Sequence, residues 1–396
     1  MRRRAFLATA GTLLSAGCGA LTGGRDGGRG GSSGPEDWGD ENGPDFTERP
    51  RRTLPEPPGG AQNEYQINTQ VDSEIRGVGA GDSDIRDPFQ IDGEGSDGTP
   101  TRANQEATEL IGEARNQLDD ALDAYRGYAG ANSSILDVNA SHTSFDNLEV
   151  EDLVRQAEST LDEAVEPATE GQRMNILGLA HVAVFIRYAA RCQKALGDAF
   201  AEVEFMSERL YNESLRLVEQ GNRQARTAME DAKDAYEVID REVEPDAFRA
   251  YGTLSESVFE DKVRQLDGEI AALDESRTGL RDMKDGVTEL QIGVPAFLDE
   301  RYEEAERRLS GATADFAIAR TSFRLTEGSR EVEAKVREIV GVAQTLEQAT
   351  TDLRRAAEAQ LNDERLVFYE ARRAAEQHIE SNEIVSDMRT MNDVIA

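Results

Sequence analysis

From residue 99 onward, apolar side chains recur at the three-and-four spacing of an α-helix. Ala107, Leu110, Ala114, Leu118, Ala121 and Tyr125 form one stripe, and Val150, Leu153, Ala157, Leu161 and Ala164 form the next. Thr99 before Pro100 is an N-cap followed by the residue that best suits the first helical position. Asp146 with Glu149 predicts a capping box for the second helix, and Thr169 with Gln172 predicts one for the third. That third region, residues 172–241, opens with MNILGLAHVAVFIRYAA, apolar on nearly every side and therefore expected at the centre of the core. It is too short to span a bilayer, because Arg173 and Arg187 bound about a dozen residues where about 20 are needed. Gly197 or the stretch from Ser207 to Ser214 is expected to divide it, and Pro245 to end it.

Phe259, Val263, Leu266, Ile270, Leu273, Leu280 and Val287 then draw a seam interrupted by Arg277 and Lys284, which Gly293 and Pro295 are predicted to close. A shorter helix is expected from Ala296 to Arg324. After Glu327-Gly328-Ser329 a last one is expected to run towards the C-terminus through Val332, Val336, Ile339, Ala343, Leu346, Leu353, Ala357 and Leu361. No strand-like alternation competes with these seams. The fold class predicted for residues 99–396 is all-α, a bundle of long helices with coiled-coil-like seams.

The first 98 residues have a different texture. Arg2, Arg3 and Arg4 precede a short apolar run and a small residue before Cys18, the order a secretion signal needs. Arg3 and Arg4, followed after Ala5 by Phe6 and Leu7, resemble the twin-arginine export motif of proteins exported already folded. Ser15-Ala16-Gly17-Cys18 resembles a lipobox, although Ser15 stands where a Leu is usual. The resemblance implies a signal over residues 1–18, lipidation of Cys18, and anchorage at the extracellular face of a membrane without a span. Residues 19–98 are rich in Gly, Pro, Asp and Ser with apolar residues scattered singly, and are read as a disordered tether. Such a tether would hold the domain about 50 Å from its anchor.

Charge narrows the setting. Lys and Arg number 44 against 78 Asp and Glu, a net charge of −34, and only five lysines, Lys194, Lys233, Lys262, Lys284 and Lys335, are present. Acid excess spread along the chain with few lysines resembles the proteins of extremely halophilic archaea, where molar salt screens such repulsion. The same charge argues against nucleic acid as a partner, since phosphate needs basic stripes. With Cys18 lipidated, only Cys192 remains, so the mature chain has no internal disulfide, and Cys192 among Ala189, Ala190 and Leu196 reads as a buried thiol.

Chemistry-bearing motifs are scarce. His142, His181 and His378 have no second ligand at helical spacing, and there is no phosphate loop, HExxH or nucleophile elbow. Asp137, Asn139, Ser141 and Thr143 follow the spacing of a calcium loop, but His142 replaces its glycine and Leu148 its closing glutamate. Asn132, Asn139 and Asn212 each begin a glycosylation acceptor pattern. Tyr302-Glu303-Glu304-Ala305, with Leu309 and Ala312, resembles the second helix of a tetratricopeptide repeat, without its closing Pro and without a second copy.

These observations lead to a lipid-anchored, non-catalytic surface scaffold or protein-binding module of a halophile, with an envelope protein as partner and no metal or cofactor. The rival reading is a ligand-sensing or solute-capturing subunit of a transporter or receptor; an enzyme built from dispersed carboxylates is the third.

Overall fold

The computed structural model describes residues 102–323 and 329–396; the signal-like segment with Cys18, the segment 19–98 and the Thr99-Pro100 cap lie outside the described residues. Within them the chain is all-α. Helix α1 spans Arg102–Gly127 and α2 spans Leu148–Val165; α3 spans Glu170–Tyr211 and α4 spans Leu215–Glu242. After a 3-10 turn at Pro245–Ala247 and the short α5, Phe248–Tyr251, come α6, Glu256–Leu298, and α7, Tyr302–Ser322. The last helices are α8, Arg330–Leu361; α9, Arg365–Glu380; α10, Glu383–Asp387; and α11, Arg389–Ile395. No strand forms among the described residues.

The long helices pair into four antiparallel hairpins, α1/α2, α3/α4, α6/α7 and α8/α9. The first helix of each hairpin after the first packs on both helices of the hairpin before it, so α3 touches α1 and α2, α6 touches α3 and α4, and α8 touches α6 and α7. Apolar stripes on two sides of α3, α6 and α8 make this possible, and one continuous core results. The apolar run of α3 lies at its centre, with Leu179, Val182, Phe185, Ile186 and Leu196 buried. Its capping box is made by Thr169 and Gln172 as the residues predict.

Three of the four hairpins turn in the same way. Asn212-Glu213-Ser214, Asp299-Glu300-Arg301 and Asn362-Asp363-Glu364 each place their middle residue in the left-handed region, at φ 56, 63 and 60. The next N–H reaches back to close the helix, Ser214 to the Arg209 carbonyl at 2.7 Å, Arg301 to Ala296 and Glu364 to Ala359 at 2.8 Å. The turns contain no glycine and no proline, which is why the sequence hides two of them. The last predicted helix is therefore two, broken at 362–364, and α6 does not close at Gly293 and Pro295 but runs on to Leu298. Burial of Val294, Ala296 and Phe297 offsets the single hydrogen bond that Pro295 cannot make, and α7 accordingly begins at Tyr302, not Ala296.

Other expectations need correction. The third region breaks within the expected Ser207–Ser214 stretch, at Asn212–Ser214, and not at the alternative, Gly197, where a side chain would press to 3.2 Å of the His142 carbonyl. The second helix has no capping box. Asn147 is its N-cap without a side-chain capping bond, its amide donating to Glu151 instead, and Asp146 accepts from the Leu148 N–H at 3.1 Å.

A C-terminal segment ties the array together. Helices α10 and α11 pack back on α3, α6, α8 and α9, burying Val385, Met388, Met391 and Val394. The Glu213 carboxylate, on the α3/α4 turn, accepts from the Thr390 N–H at 2.7 Å and the Thr390 hydroxyl at 2.9 Å, capping α11.

Candidate functional site

Two groups of polar residues stand out, one buried and one open. The buried group centres on Lys262, which is 0% exposed. On the α6 seam Phe259, Leu266 and Ile270 face the core, and Lys262 shares that face three residues after Phe259, with Glu269 seven residues further on. The Lys262 ammonium donates to the Val138 carbonyl at 2.6 Å, to Gln193 Oε1 at 3.0 Å and to Gln265 Oε1 at 3.1 Å, and lies 5.4 Å from the centre of the Tyr125 ring. Glu269 accepts the Ala140 N–H at 2.9 Å and Gln265 Nε2 at 3.2 Å. Together they pin the segment joining α1 to α2 against α6. Burial lowers Lys262 from 10.5 to about 8, against the pull of Glu269, and raises the Glu269 carboxyl and the Tyr125 hydroxyl. All three side chains are sealed from solvent and every Lys262 proton has an acceptor, so the cluster is a structural clamp.

Lys262 and Glu269 escape the sequence reading because charged residues are not counted into an apolar seam; Val263, counted in their place, is only half-buried. The available signal is a lysine and a glutamate two turns apart at seam spacing, in a chain with five lysines.

The open group lies along the α3/α4 hairpin. A groove of about 830 Å³ runs between Tyr188, Arg191, Ala195, Asp198 and Glu202 of α3 and Gln224, Thr227, Ala228, Asp231, Asp234, Ala235 and Val238 of α4. It exists because the hairpins differ in length: α2 has 18 residues, about 27 Å, beside the 42 residues of α3, about 63 Å. Asn147, at the start of α2, marks one rim of the groove. Its basic residues are already engaged. Arg191 holds Glu151 through two bonds of 3.0 and 2.9 Å and lies over the Tyr188 ring, Lys194 holds Asp198 at 2.6 Å, and Arg223 lies 3.8 Å from Glu219. Glu202, Asp231 and Asp234 have no ion-pair partner among the described residues. Partial burial raises Glu202 and Asp231 above the usual carboxylate range, with Asp198 adding to the first and Asp234, Glu230 and Asp198 to the second.

A third feature closes the array. The outer face of α9 is uncovered, with Leu366 72% and Tyr369 66% exposed beside the half-buried Phe368, which stacks on Phe297 at 6.0 Å.

The residues singled out by sequence are dispersed. Arg3, Arg4, Phe6, Leu7 and Cys18 lie outside the described residues. Asn132 and Asn212 are exposed on turns, whereas Asn139 is 7% exposed, with its amide donating to Glu331 at 3.2 Å and accepting from Ser141. His142 bonds within its own loop, His181 lies 2.8 Å from the Glu242 carbonyl, and His378 lies 3.4 Å from Asp352. In the calcium-like loop Asp137 accepts from the Ser134 N–H and Asn139 from the Ser141 N–H and hydroxyl. Cys192 is buried, and burial raises its thiol. Among the described residues no three His, Cys, Asp or Glu side chains are placed to share a metal ion, and no helix is long and apolar enough to cross a membrane. Tyr302-Glu303-Glu304-Ala305 begins α7, the second helix of its hairpin, with Ala305, Leu309 and Ala312 buried against α6 and α8.

Comparison of the chain with family models, with curated proteins and with solved structures finds no match.

Proposed function

We propose that this chain is a protein-binding module displayed at the extracellular face of a halophile's membrane, held by lipid on Cys18 and acting by contact, not catalysis. The observation that carries the reading is the stacked hairpin array with one long face left open along α3 and α4. Successive hairpins that bury one another while leaving an extended face uncovered are the architecture of interaction scaffolds. The N-terminal resemblance and the net charge of −34 support the location and the salt setting.

The rival solute-capturing reading gains support from the same groove, which has an apolar floor. A small-molecule site buries about 70–90% of its ligand, however, and this groove is open along its length. Carboxylates held above their usual range also suit a general acid, but neither Glu202 nor Asp231 has a hydrogen-bonded side chain orienting it among the described residues. A surface that reads another chain fits both facts better.

The test is cross-linking of intact cells followed by purification of the tagged chain with native Cys18 and with Cys18→Ser. Specific envelope proteins captured only by the anchored form support the reading. A chain that fractionates with membranes but captures nothing overturns it in favour of solute binding.

A further inference from the structure

Resting on the reading of the domain as a protein-binding module, the geometry points to the occupant of the α3/α4 groove: an amphipathic α-helix of about four turns, small and alkyl side chains inward, Lys or Arg on its flanks. Both walls are helical stripes of the same extent. Residues 188–202 of α3 and 224–238 of α4 each rise about 21 Å, the length of about 14 helical residues. The floor is made of Ala195, Ala228, Ala235 and Thr227, small enough for a helix backbone to approach closely, with Tyr188 and Val238 as larger apolar contacts towards one end. A valley between two antiparallel helices is where a third helix packs, ridges into grooves, and α2 packs on α3 just beyond the groove, with Asn147 before its first turn on the rim.

Charge selects the partner. Every cation of the groove is bound to a carboxylate of this chain, while Glu202, Asp231 and Asp234 stand without one among the described residues. Crowded carboxylates repel one another, and this pair of walls repels phosphate and acidic peptides equally; flanking Lys or Arg relieves both walls at once. Partial burial raises the Glu202 and Asp231 carboxyls, and the neighbouring carboxylates add to it.

The probe is a synthetic peptide of about 14 residues, Ala and Leu on one face and Lys on the flanks, with a photo-reactive phenylalanine analogue on the inner face. Controls are the same peptide with Glu for Lys and a scrambled peptide of identical composition. Binding to the full chain is followed at the lowest salt at which its circular dichroism is that of the folded protein. The Lys peptide is expected to bind, to label residues 188–202 and 224–238, and to lose about tenfold in affinity with Asp231→Arg while Asp152→Asn changes nothing. Equal binding of the scrambled peptide, labelling elsewhere, or indifference to Asp231→Arg overturns the proposal. Spermidine held with the same Asp231 dependence while the peptide is not overturns it in favour of small cations. Capture of the same envelope proteins by the Asp231→Arg chain rejects the groove but leaves the protein-binding reading standing; capture lost with that variant supports both.

Discussion

Lys262 donates its ammonium proton to the carbonyl of Val138 at 2.6 Å, joining two buried positions 124 residues apart. Removing the charge leaves Glu269 buried without its Coulombic partner and the Val138 carbonyl without a donor. Lys262→Met is therefore expected to cost about 3–5 kcal/mol in denaturant unfolding. Lys262→Met with Glu269→Leu should cost less than the sum of the two single changes, with a coupling of about 1–3 kcal/mol. Additive losses would show that the two side chains act separately.

The same lysine predicts a pH dependence. Its folded value, about 8, lies below the 10.5 of the unfolded chain, because burial penalises the ammonium. Between those values the unfolded state binds more protons, so this group makes stability rise with pH there, by up to about 1.4 kcal/mol per pH unit. Below pH 8 both states carry the proton and the slope vanishes. Subtracting the Lys262→Met unfolding profile from that of the native chain reads the lysine together with its pull on the buried Cys192 thiol, which the ammonium lowers. A flat difference from pH 8 to 10.5 contradicts it.

Glu213 and Glu300 sit in turns of the same backbone shape, at φ 56 and 63. A left-handed non-glycine residue costs about 1–2 kcal/mol, part of which glycine gives back in unfolded-state entropy. Glu300→Gly is expected to stabilise by about 1 kcal/mol. Glu213→Gly gains the same backbone relief but loses two charge-assisted bonds to Thr390, worth about 1.5–3 kcal/mol each before compensation, and should destabilise. Thermal unfolding shifts of the same sign for both variants would remove the capping role of Glu213.

Glycines divide by what lies over them. A methyl on Gly286 would meet the buried Phe316 ring at 2.7 Å, whereas Gly112 and Gly341 have nothing within 4 Å. Gly286→Ala should lose about 1–3 kcal/mol through displacement of Phe316. Gly112→Ala and Gly341→Ala should each gain about 0.5–1 kcal/mol from helix propensity. Equal effects in chemical unfolding would mean that α6 and α7 do not approach at Gly286 as described.

The charge of −34 predicts salt dependence. Exposed pairs such as Arg155 with Asp152 contribute about 0–1 kcal/mol each, too little to offset repulsion that reaches about 30 Å at 0.01 M salt. Helical circular dichroism should fall on dialysis to low salt and return at molar salt. An unchanged spectrum would refute the halophilic reading.

The helices were legible wherever apolar spacing alone makes them: most of the stripes from Ala107 to Tyr125, Val150 to Ala164 and Val332 to Leu353 are buried, although Ile111 and Val154 are buried where Leu110 and Leu153 were expected, and Leu361 is exposed. The boundaries were not, because Glu300 and Asp363 turn the chain without glycine, and Pro295 sits inside a helix whose end is set by packing. The clamp was hidden for a related reason: a single sequence does not tell which charged residue on a seam has found a partner 124 residues away. The groove follows from the unequal lengths of α2 and α3, a relation between elements that no local window contains.

The tie between Thr390 and Glu213 also makes the array less local than its hairpins suggest. Hairpins that touch only their neighbours can open one at a time, from an end inward. Here residues 383–396 reach back to the turn of the second hairpin. Loosening that segment bares Val385, Met388, Met391 and Val394 together with the surface they cover on α3, α6, α8 and α9. It acts as a belt, so distant parts of the array open and close as one cooperative unit.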